Sequence, residues 1–173
     1  AAYVMMAWRV AYCKVFYPLA YYCAYYSIRA NAFDYEKMAM GRERLEYYIN
    51  DYKAKKADGT ISNVEDDELK DMRIVQEMYA RGFEFVPIDI YKAKARSFQI
   101  IDGKIMPSFK VISKVGESAG ESIEIAARDG EFLSKDDLRQ RARIGQTVIE
   151  KLGELGLLDG MAESNQLSLF DVI

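Results

Sequence analysis

Short helical stretches alternate with glycine-bearing turns from residue 107 to Gly156, and this alternation constrains the fold more than any other feature of the sequence. Glycine ends helices because it adopts backbone conformations that other residues reach only at a cost. Pro107 can open a helix before the first turn, and Ser134 with Asp137 resembles a capping box. The unit of helix, glycine turn and helix therefore occurs twice. The predicted helices cover residues 117–128, 135–142 and 146–155, with tight turns at 113–116 and 143–145.

The first part of the chain is predicted to form helices rich in aromatic residues. Apolar side chains recur at helical spacing from Tyr3 to Phe33 with few charges between them, so we expect helices that are buried on most sides. Pro18 should break or kink the stretch near Tyr17. Four tyrosines form two pairs at i, i+4 spacing along the helix. This pattern predicts a packing face, with a base-stacking platform as the alternative. The four tyrosines are Tyr21, Tyr22, Tyr25 and Tyr26.

Two further helices are predicted before residue 83. The first covers Tyr35 to Tyr52. The second begins after Asn63 as its N-cap and runs to Arg81, and Gly82 ends it. Acidic residues at 65–68 fill the first turn of this helix, where the helix dipole favours negative charge. A metal site built from these carboxylates is the less favoured interpretation.

A small β element is predicted between the two helical parts. Residues 83–90 have an extended pattern that contains Pro87, which is typical of an edge strand or a strap. Residues 98–101 and 104–106 flank Asp102-Gly103, a pair that fits the two-residue turn between antiparallel strands. The predicted fold class is therefore mainly α with a small β hairpin.

The chain contains no histidine, which removes the usual general base near neutral pH and the commonest metal ligand. Ser-His-Asp and Cys-His catalysis within the chain are therefore excluded. Residues 116–120 match the G-x-S-x-G turn of serine hydrolases, but Ser118 would have no histidine base and no large parallel sheet is predicted, so we interpret the match as accidental. Cys13 and Cys23 cannot complete a zinc site, and we expect both to be buried and reduced, in a reducing compartment.

The charge of the chain is unevenly distributed. A formal net charge of −3 argues against a uniformly basic nucleic-acid binder. Local charge, however, decides what a patch of surface attracts, and residues 92–114 carry only Asp102 against several basic side chains. These are Lys92, Lys94, Arg96, Lys104, Lys110 and Lys114. Beyond Lys151, in contrast, only acidic residues carry charge.

The two helix, turn and helix units fit a tandem helix-hairpin-helix module. In such a turn small residues free the backbone N–H groups of a helix N-terminus, which point at a phosphate oxygen of DNA, so binding does not depend on base sequence. Lys114 stands where such hairpins usually have glycine, and it can supply a phosphate contact of its own. The alternative is a compact four-helix unit without DNA contact. The candidate DNA-binding residues are Lys110, Lys114, Val115, Gly116, Arg139, Arg141, Arg143, Ile144 and Gly145.

The beginning of the chain predicts a piece of a longer protein. It opens at Ala1 without an initiator methionine and enters a helical pattern at once. The longest uncharged run, residues 15–28, contains Pro18 and is shorter than a membrane-spanning helix. We therefore expect neither a targeting segment nor a membrane partner.

The C-terminal tail carries a short recognition pattern. A polar spacer at 162–165 precedes Gln166-Leu167-Ser168-Leu169-Phe170. Spaced Leu, Leu and Phe side chains can fill a partner's apolar pocket, while the glutamine amide sets the register. A tail that folds onto its own domain remains the alternative on spacing alone.

Three segments, taken in order, resemble the α subunit of bacterial DNA polymerase III. Residues 1–18 resemble its fingers, and residues 130–138 are similar to the linker between the two hairpins of bacterial replicative polymerases. Residues 166–170 resemble the peptide by which bacterial replication proteins bind the sliding clamp. The resemblance is closest to the PolC type, in which the clamp peptide ends the protein.

This resemblance implies the C-terminal fragment of a replicative DNA polymerase, working in the cytoplasm. Its expected parts are a helical end of the fingers, an extended strap with the β hairpin, a tandem helix-hairpin-helix domain that binds duplex DNA, and a clamp-binding tail. They cover residues 1–82, 83–106, 107–160 and 161–173. The expected partners are duplex primer–template, the sliding clamp and the remainder of the polymerase.

The resemblance also implies where the catalytic chemistry lies. The family enzyme adds deoxynucleotides to a primer with Mg²⁺ held by palm aspartates, and PolC members also carry a 3′–5′ exonuclease. Both sites would precede Ala1, so we expect the fragment alone to be inactive and to need no cofactor. Tyr3 and Arg9 are candidates for contact with the incoming nucleotide or template, although core packing is the favoured role of Tyr3. A stand-alone helical protein-interaction module without a DNA role is the alternative function.

Overall fold

The computed structural model describes residues 1–164, and this range consists of α-helices and one two-stranded antiparallel hairpin. The helices are α1 (Ala2–Phe16), α2 (Pro18–Ile28), α3 (Tyr35–Met38), α4 (Arg42–Ala57), α5 (Asn63–Ala80), α6 (Gly116–Ala127), α7 (Lys135–Ala142) and α8 (Gln146–Glu154). The strands are β1 (Gln99–Ile101) and β2 (Lys104–Met106), and a 3₁₀ turn covers Phe109–Val111. The predicted fold class, mainly α with a small β hairpin, is confirmed.

The break at Pro18 is confirmed, but the burial predicted around it is only half correct. Helix α1 ends before Tyr17, and Pro18 is the first residue of α2, a position where the missing proline N–H costs nothing. Tyr22 and Tyr26 of α2 are fully buried, whereas α1 has no buried residue within the described structure. Cys13 lies on α1 and is exposed as well, which corrects the prediction that it is buried.

Two helix boundaries differ from the prediction. The helix expected over residues 35–52 is divided, because Gly41 has a φ of +113° and interrupts the hydrogen-bond ladder between α3 and α4. The N-cap of α5 is Ser62 and not Asn63. The Ser62 hydroxyl accepts from the N–H of Glu65 at 3.2 Å, and the Glu65 carboxylate accepts from the N–H of Ser62 at 2.9 Å, which forms a capping box.

An aromatic cluster joins α2 to the extended strap and the hairpin. The ring of Tyr26 lies 5.3 Å from Phe33, 5.6 Å from Phe85 and 5.5 Å from Phe98 between centroids. The strap pairs with β2, since the N–H of Val86 donates to the carbonyl of Ile105 at 2.9 Å. The predicted packing role of the tyrosine stripe therefore holds for its two buried members.

The hairpin has the predicted turn. Asp102 and Gly103 have φ values of +50° and +76°, and Ile101 pairs with Lys104 across the turn. Two positive φ values match the right-handed twist of the flanking strands.

The acidic residues at the start of α5 serve capping and ion pairing. Glu65 closes the capping box, and Glu68 accepts from Lys37 at 2.7 Å and from the Tyr52 hydroxyl at 2.6 Å. Among residues 1–164 no group of His, Cys, Asp and Glu side chains has the arrangement of a metal site. Within the same range, no helix combines the length and apolar character needed to cross a membrane.

Candidate nucleic-acid interface

Two turns of the C-terminal helical region are built alike. Lys114-Val115-Gly116 leads into α6, and Arg143-Ile144-Gly145 leads into α8. In both turns the first residue is a cation in the left-handed conformation, with φ of +66° for Lys114 and +52° for Arg143. The middle residue is buried, with 3% exposure for Val115 and 8% for Ile144, and the glycine is exposed. The two turns thus share a left-handed cation and a burial pattern, whereas their glycines differ, with φ of +65° for Gly116 and −76° for Gly145.

Each turn presents its cation to solvent. Lys114 and Arg143 are exposed, and within the described structure neither side chain has an ion pair or a hydrogen bond. A left-handed conformation costs a non-glycine residue roughly 1 kcal/mol, so the buried apolar residue beside each cation must hold the turn in place. The turns therefore resemble each other in charge as well as in burial.

The helices that follow the two turns begin without a side-chain cap. In the described residues no side chain accepts from the first N–H groups of α6 or α8, whereas at α7 the Ser134 hydroxyl accepts from the N–H of Asp137 at 3.1 Å. The open N–H groups and the helix dipole favour an anion at both turns. Glu117 in the first turn of α6 opposes this, but Arg96 forms an ion pair with it at 2.6 Å.

Two predicted DNA-binding side chains have internal contacts instead. The Lys110 ammonium donates to the carbonyl of Ser27 at 2.8 Å, which joins the C-terminal region to α2. The Arg141 guanidinium lies 4.5 Å above the ring of Phe132 and donates to three backbone carbonyls, one in the last turn of α6 and two in the loop before α7. The three acceptors are Ala126 at 2.7 Å, Glu131 at 2.9 Å and Gly130 at 3.1 Å. These contacts place both side chains inside the protein's own structure, and no sequence signal distinguishes them from surface cations.

Arg139 stays on the surface of α7, 3.9 Å from Asp136. That distance leaves the guanidinium weakly engaged and accessible to a phosphate.

The basic stretch at 92–114 is largely neutralised by acidic residues from other parts of the chain. Asp102 is the only acidic residue within the stretch itself, but the fold brings carboxylates from the strap and from α6 to most of these cations. The pairs are Lys92 with Asp89 at 3.4 Å, Lys94 with Glu124 at 3.3 Å, Arg96 with Glu121 at 2.6 Å and Lys104 with Glu84 at 3.1 Å. Lys114 is the exposed cation of this stretch that the described structure leaves unpaired.

The G-x-S-x-G match has a packing explanation at its second glycine. A Cβ on Gly120 would lie 2.8 Å from Cβ of Phe109, so α6 can approach the 3₁₀ turn only with glycine here. Ser118 lies in the first turn of α6, which follows the 3₁₀ turn rather than a strand. The hydrolase arrangement of strand, sharp turn and helix is therefore absent around this serine.

The fingers candidates lie on the uncovered helix α1. Tyr3 is 87% exposed, which is contrary to the core packing favoured for it, and Arg9 is also exposed. The predicted clamp-binding residues 166–170 lie outside the described residues.

Comparison with known proteins agrees with this geometry. Residues 82–167 match the family described as the helix-hairpin-helix motif. Over 171 residues, which is 99% of the chain, the sequence is 47% identical to the DNA polymerase III PolC-type of Streptococcus suis. The chain is a homologue of one segment of PolC-type DNA polymerase III.

Further PolC-type relatives show the same match. The identity is 46% to the DNA polymerase III PolC-type of Streptococcus pyogenes and 45% to that of Streptococcus pneumoniae, again over 99% of the chain. The chain spans 12% of the length of these PolC-type relatives.

Proposed function

We propose that this chain is the part of a PolC-type replicative DNA polymerase that holds duplex primer–template through its phosphates. The observation that carries the proposal is the repeated turn, in which a cation unpaired within residues 1–164, a buried apolar residue and an exposed glycine stand at the start of an uncapped helix. The match of residues 82–167 to the helix-hairpin-helix family supports it.

The chemistry at each turn is phosphate recognition. The first N–H groups of α6 and α8 donate to a phosphate oxygen, and Lys114 and Arg143 add one charge each. Because phosphates are the same at every base pair, binding is independent of sequence. The two similar turns each engage one strand, and Arg139 contributes a further cation from the surface of α7.

The tail extends this role to the sliding clamp. In the proposal Gln166, Leu167, Ser168, Leu169 and Phe170 occupy a pocket on the clamp and keep the polymerase on its template. Polymerisation with Mg²⁺ and exonuclease activity belong to the rest of the parent protein, which works in the cytoplasm. This chain binds the duplex DNA on which those activities act.

The exposed face of α1 is proposed as the contact with the remainder of the polymerase. Its C-terminal end is held against α5, because Lys14 pairs with Glu77 at 2.8 Å and Arg81 donates to the carbonyl of Lys14 at 3.0 Å. Large apolar side chains nevertheless face solvent along its length, Trp8 among them at 65% exposure. Exposed apolar surface on this scale marks a protein contact, and the relatives' much longer chains supply one.

Duplex binding tests the central claim. Fluorescence anisotropy of two unrelated duplexes should give equal affinities that fall steeply with salt, since bound phosphates release counterions. K114A and R143A should each weaken binding several-fold and lower the salt slope by about one. K104A is the matched control, because this exposed lysine is already paired with Glu84. A flat salt response, or one strongly preferred duplex, would refute the proposal.

Clamp binding needs its own measurement. Calorimetry with the sliding clamp should show binding to the 173-residue chain and none to a Q166A/F170A variant. Equal affinities for the two proteins would remove the tail from the proposal.

The exposed α1 also favours a second candidate, a stand-alone helical protein-interaction module. That function predicts concentration-dependent self-association in analytical ultracentrifugation and only background affinity for duplex. Substituting Trp8 by Ser would then abolish the self-association, whereas in the polymerase proposal duplex affinity is unchanged by W8S.

A further inference from the structure

The chain that leads into the tail crosses the N-terminus of α7. The carbonyl of Ala162 accepts from the N–H of Lys135 at 2.8 Å, and the carbonyl of Glu163 accepts from the N–H of Asp136 at 3.1 Å. With Ser134 taking the next N–H, the first turn of α7 is satisfied by protein groups. The first backbone N–H groups of α6 and α8 thus have no side-chain acceptor in the described structure, whereas those of α7 donate to the carbonyls of residues 162–163.

Other contacts hold the same segment. Leu158 is buried, and the N–H of Met161 donates to its carbonyl at 3.1 Å. Met161 packs against the core, and the carboxylate of Glu163 pairs with the ammonium of Lys135. The chain is therefore fixed to the domain at least as far as Glu163, whereas the proposed clamp peptide begins at Gln166.

The short distance between these points limits where the clamp can lie. Two intervening residues span at most about 10 Å when extended from Glu163 to Gln166. Helix α7 has eight residues, so about 12 Å separate its N-terminus from the turn at Arg143. A clamp bound by Gln166 would thus start within roughly 20 Å of one phosphate-binding turn.

We propose that the N-terminus of α7 is a docking site for residues 162–163, and that it fixes the position of the sliding clamp relative to the two hairpin turns. The inference rests on the proposed function of the tail. A fixed, short connection lets clamp and duplex be bound together at little extra entropic cost, because the second contact forms at high effective concentration.

One substitution at α7 removes two contacts of the anchor while leaving the helix able to form. Lys135 is the first helical residue, where proline is well tolerated, and Ser134 before it has the extended backbone that proline requires, with φ −162° and ψ +172°. K135P deletes both the N–H that holds Ala162 and the ion pair with Glu163. K135A deletes the ion pair alone and is the matched control.

A second variant leaves α7 unchanged. Ten Gly and Ser residues inserted between Ser164 and Asn165 keep the anchor but release the peptide from it. This variant answers the question even if K135P fails to fold.

The experiment measures the affinity of the full chain for free clamp, for free duplex and for clamp loaded on duplex. K135P and the insertion should retain both binary affinities but lose roughly tenfold in affinity for the loaded clamp, and K135A should match the wild type. Unchanged affinity for the loaded clamp in the insertion variant would overturn the inference. Absence of any clamp binding by the wild type would instead refute the proposed function of the tail.

Discussion

Alanine substitution of two helical glycines should change stability in opposite directions. Gly120 in α6 and Gly153 in α8 both lie inside helices, where alanine is favoured over glycine by about 1 kcal/mol. Their surroundings differ, because an added Cβ at Gly120 would lie 2.8 Å from Cβ of Phe109 and 3.6 Å from Cα of Ala95. At Gly153 no atom of residues 1–164, apart from its chain neighbours and the backbone of its own helix, lies within 4 Å of the added Cβ.

The magnitudes follow from these distances. Phe109 cannot withdraw easily, since its Cβ is bonded to the backbone of the 3₁₀ turn, and overpacking of this kind costs about 1–3 kcal/mol. This cost exceeds the helical gain, so we expect G120A to lower the free energy of unfolding by about 1 kcal/mol. G153A should raise it by about 0.5 kcal/mol, because the residue lies in the last turn, where helices fray.

Urea denaturation followed by circular dichroism measures the difference between the two variants. For a chain of this size 1 kcal/mol corresponds to roughly 2–4 °C in Tm, so thermal melts should separate the two by several degrees. If G120A were as stable as G153A, the close approach of α6 to Phe109 would not determine the glycine, and the packing argument for the second glycine of the G-x-S-x-G match would be wrong.

Three further outcomes are expected. E36Q should lower the free energy of unfolding by about 1 kcal/mol in urea titrations, because the buried ammonium of Lys151 loses its charged partner at 2.8 Å and keeps Glu154 at 3.6 Å, and equal stability would refute this role. R141A should destabilise by about 2 kcal/mol yet leave the salt slope of duplex binding unchanged, whereas a slope lowered by one would restore Arg141 to the phosphate contacts. Burial and the neighbouring Glu77 raise the pKa of Tyr22 from 10.0 to about 12, so the native state keeps a proton there that the unfolded state loses. Stability should therefore fall as pH rises from 10 to 12 and fall less steeply in Y22F, as unfolding midpoints at each pH would show.

Local elements were predictable wherever neighbouring residues alone specify the backbone. Asp102-Gly103 has the turn that such pairs favour, and Ser134 caps α7 as its spacing to Asp137 indicates. The break at Gly41 was not predicted, although an isolated glycine inside a helical pattern is a signal that could have divided α3 from α4.

The sequence indicates more candidate DNA-binding cations than the structure leaves without an internal contact. The sequence placed the turns at Gly116 and Gly145 correctly, but it could not show that Lys110 and Arg141 donate to backbone carbonyls. Nor could it show that Lys114 and Arg143 share one left-handed conformation. The hydrogen bonds depend on acceptors that are distant along the chain, and the left-handed conformation depends on how the whole turn packs.

By itself, the sequence determined the order of helices, turns and hairpin, because these depend on interactions among residues a few positions apart. It also determined the absence of histidine-based catalysis and carried the likeness to PolC-type polymerases. Tertiary structure alone decided which cations are free, which helix face stays uncovered and where the tail is anchored. Charge neutralisation, burial and backbone docking all arise from groups that folding brings together. Because these groups are far apart along the chain, no local sequence pattern predicts their contacts.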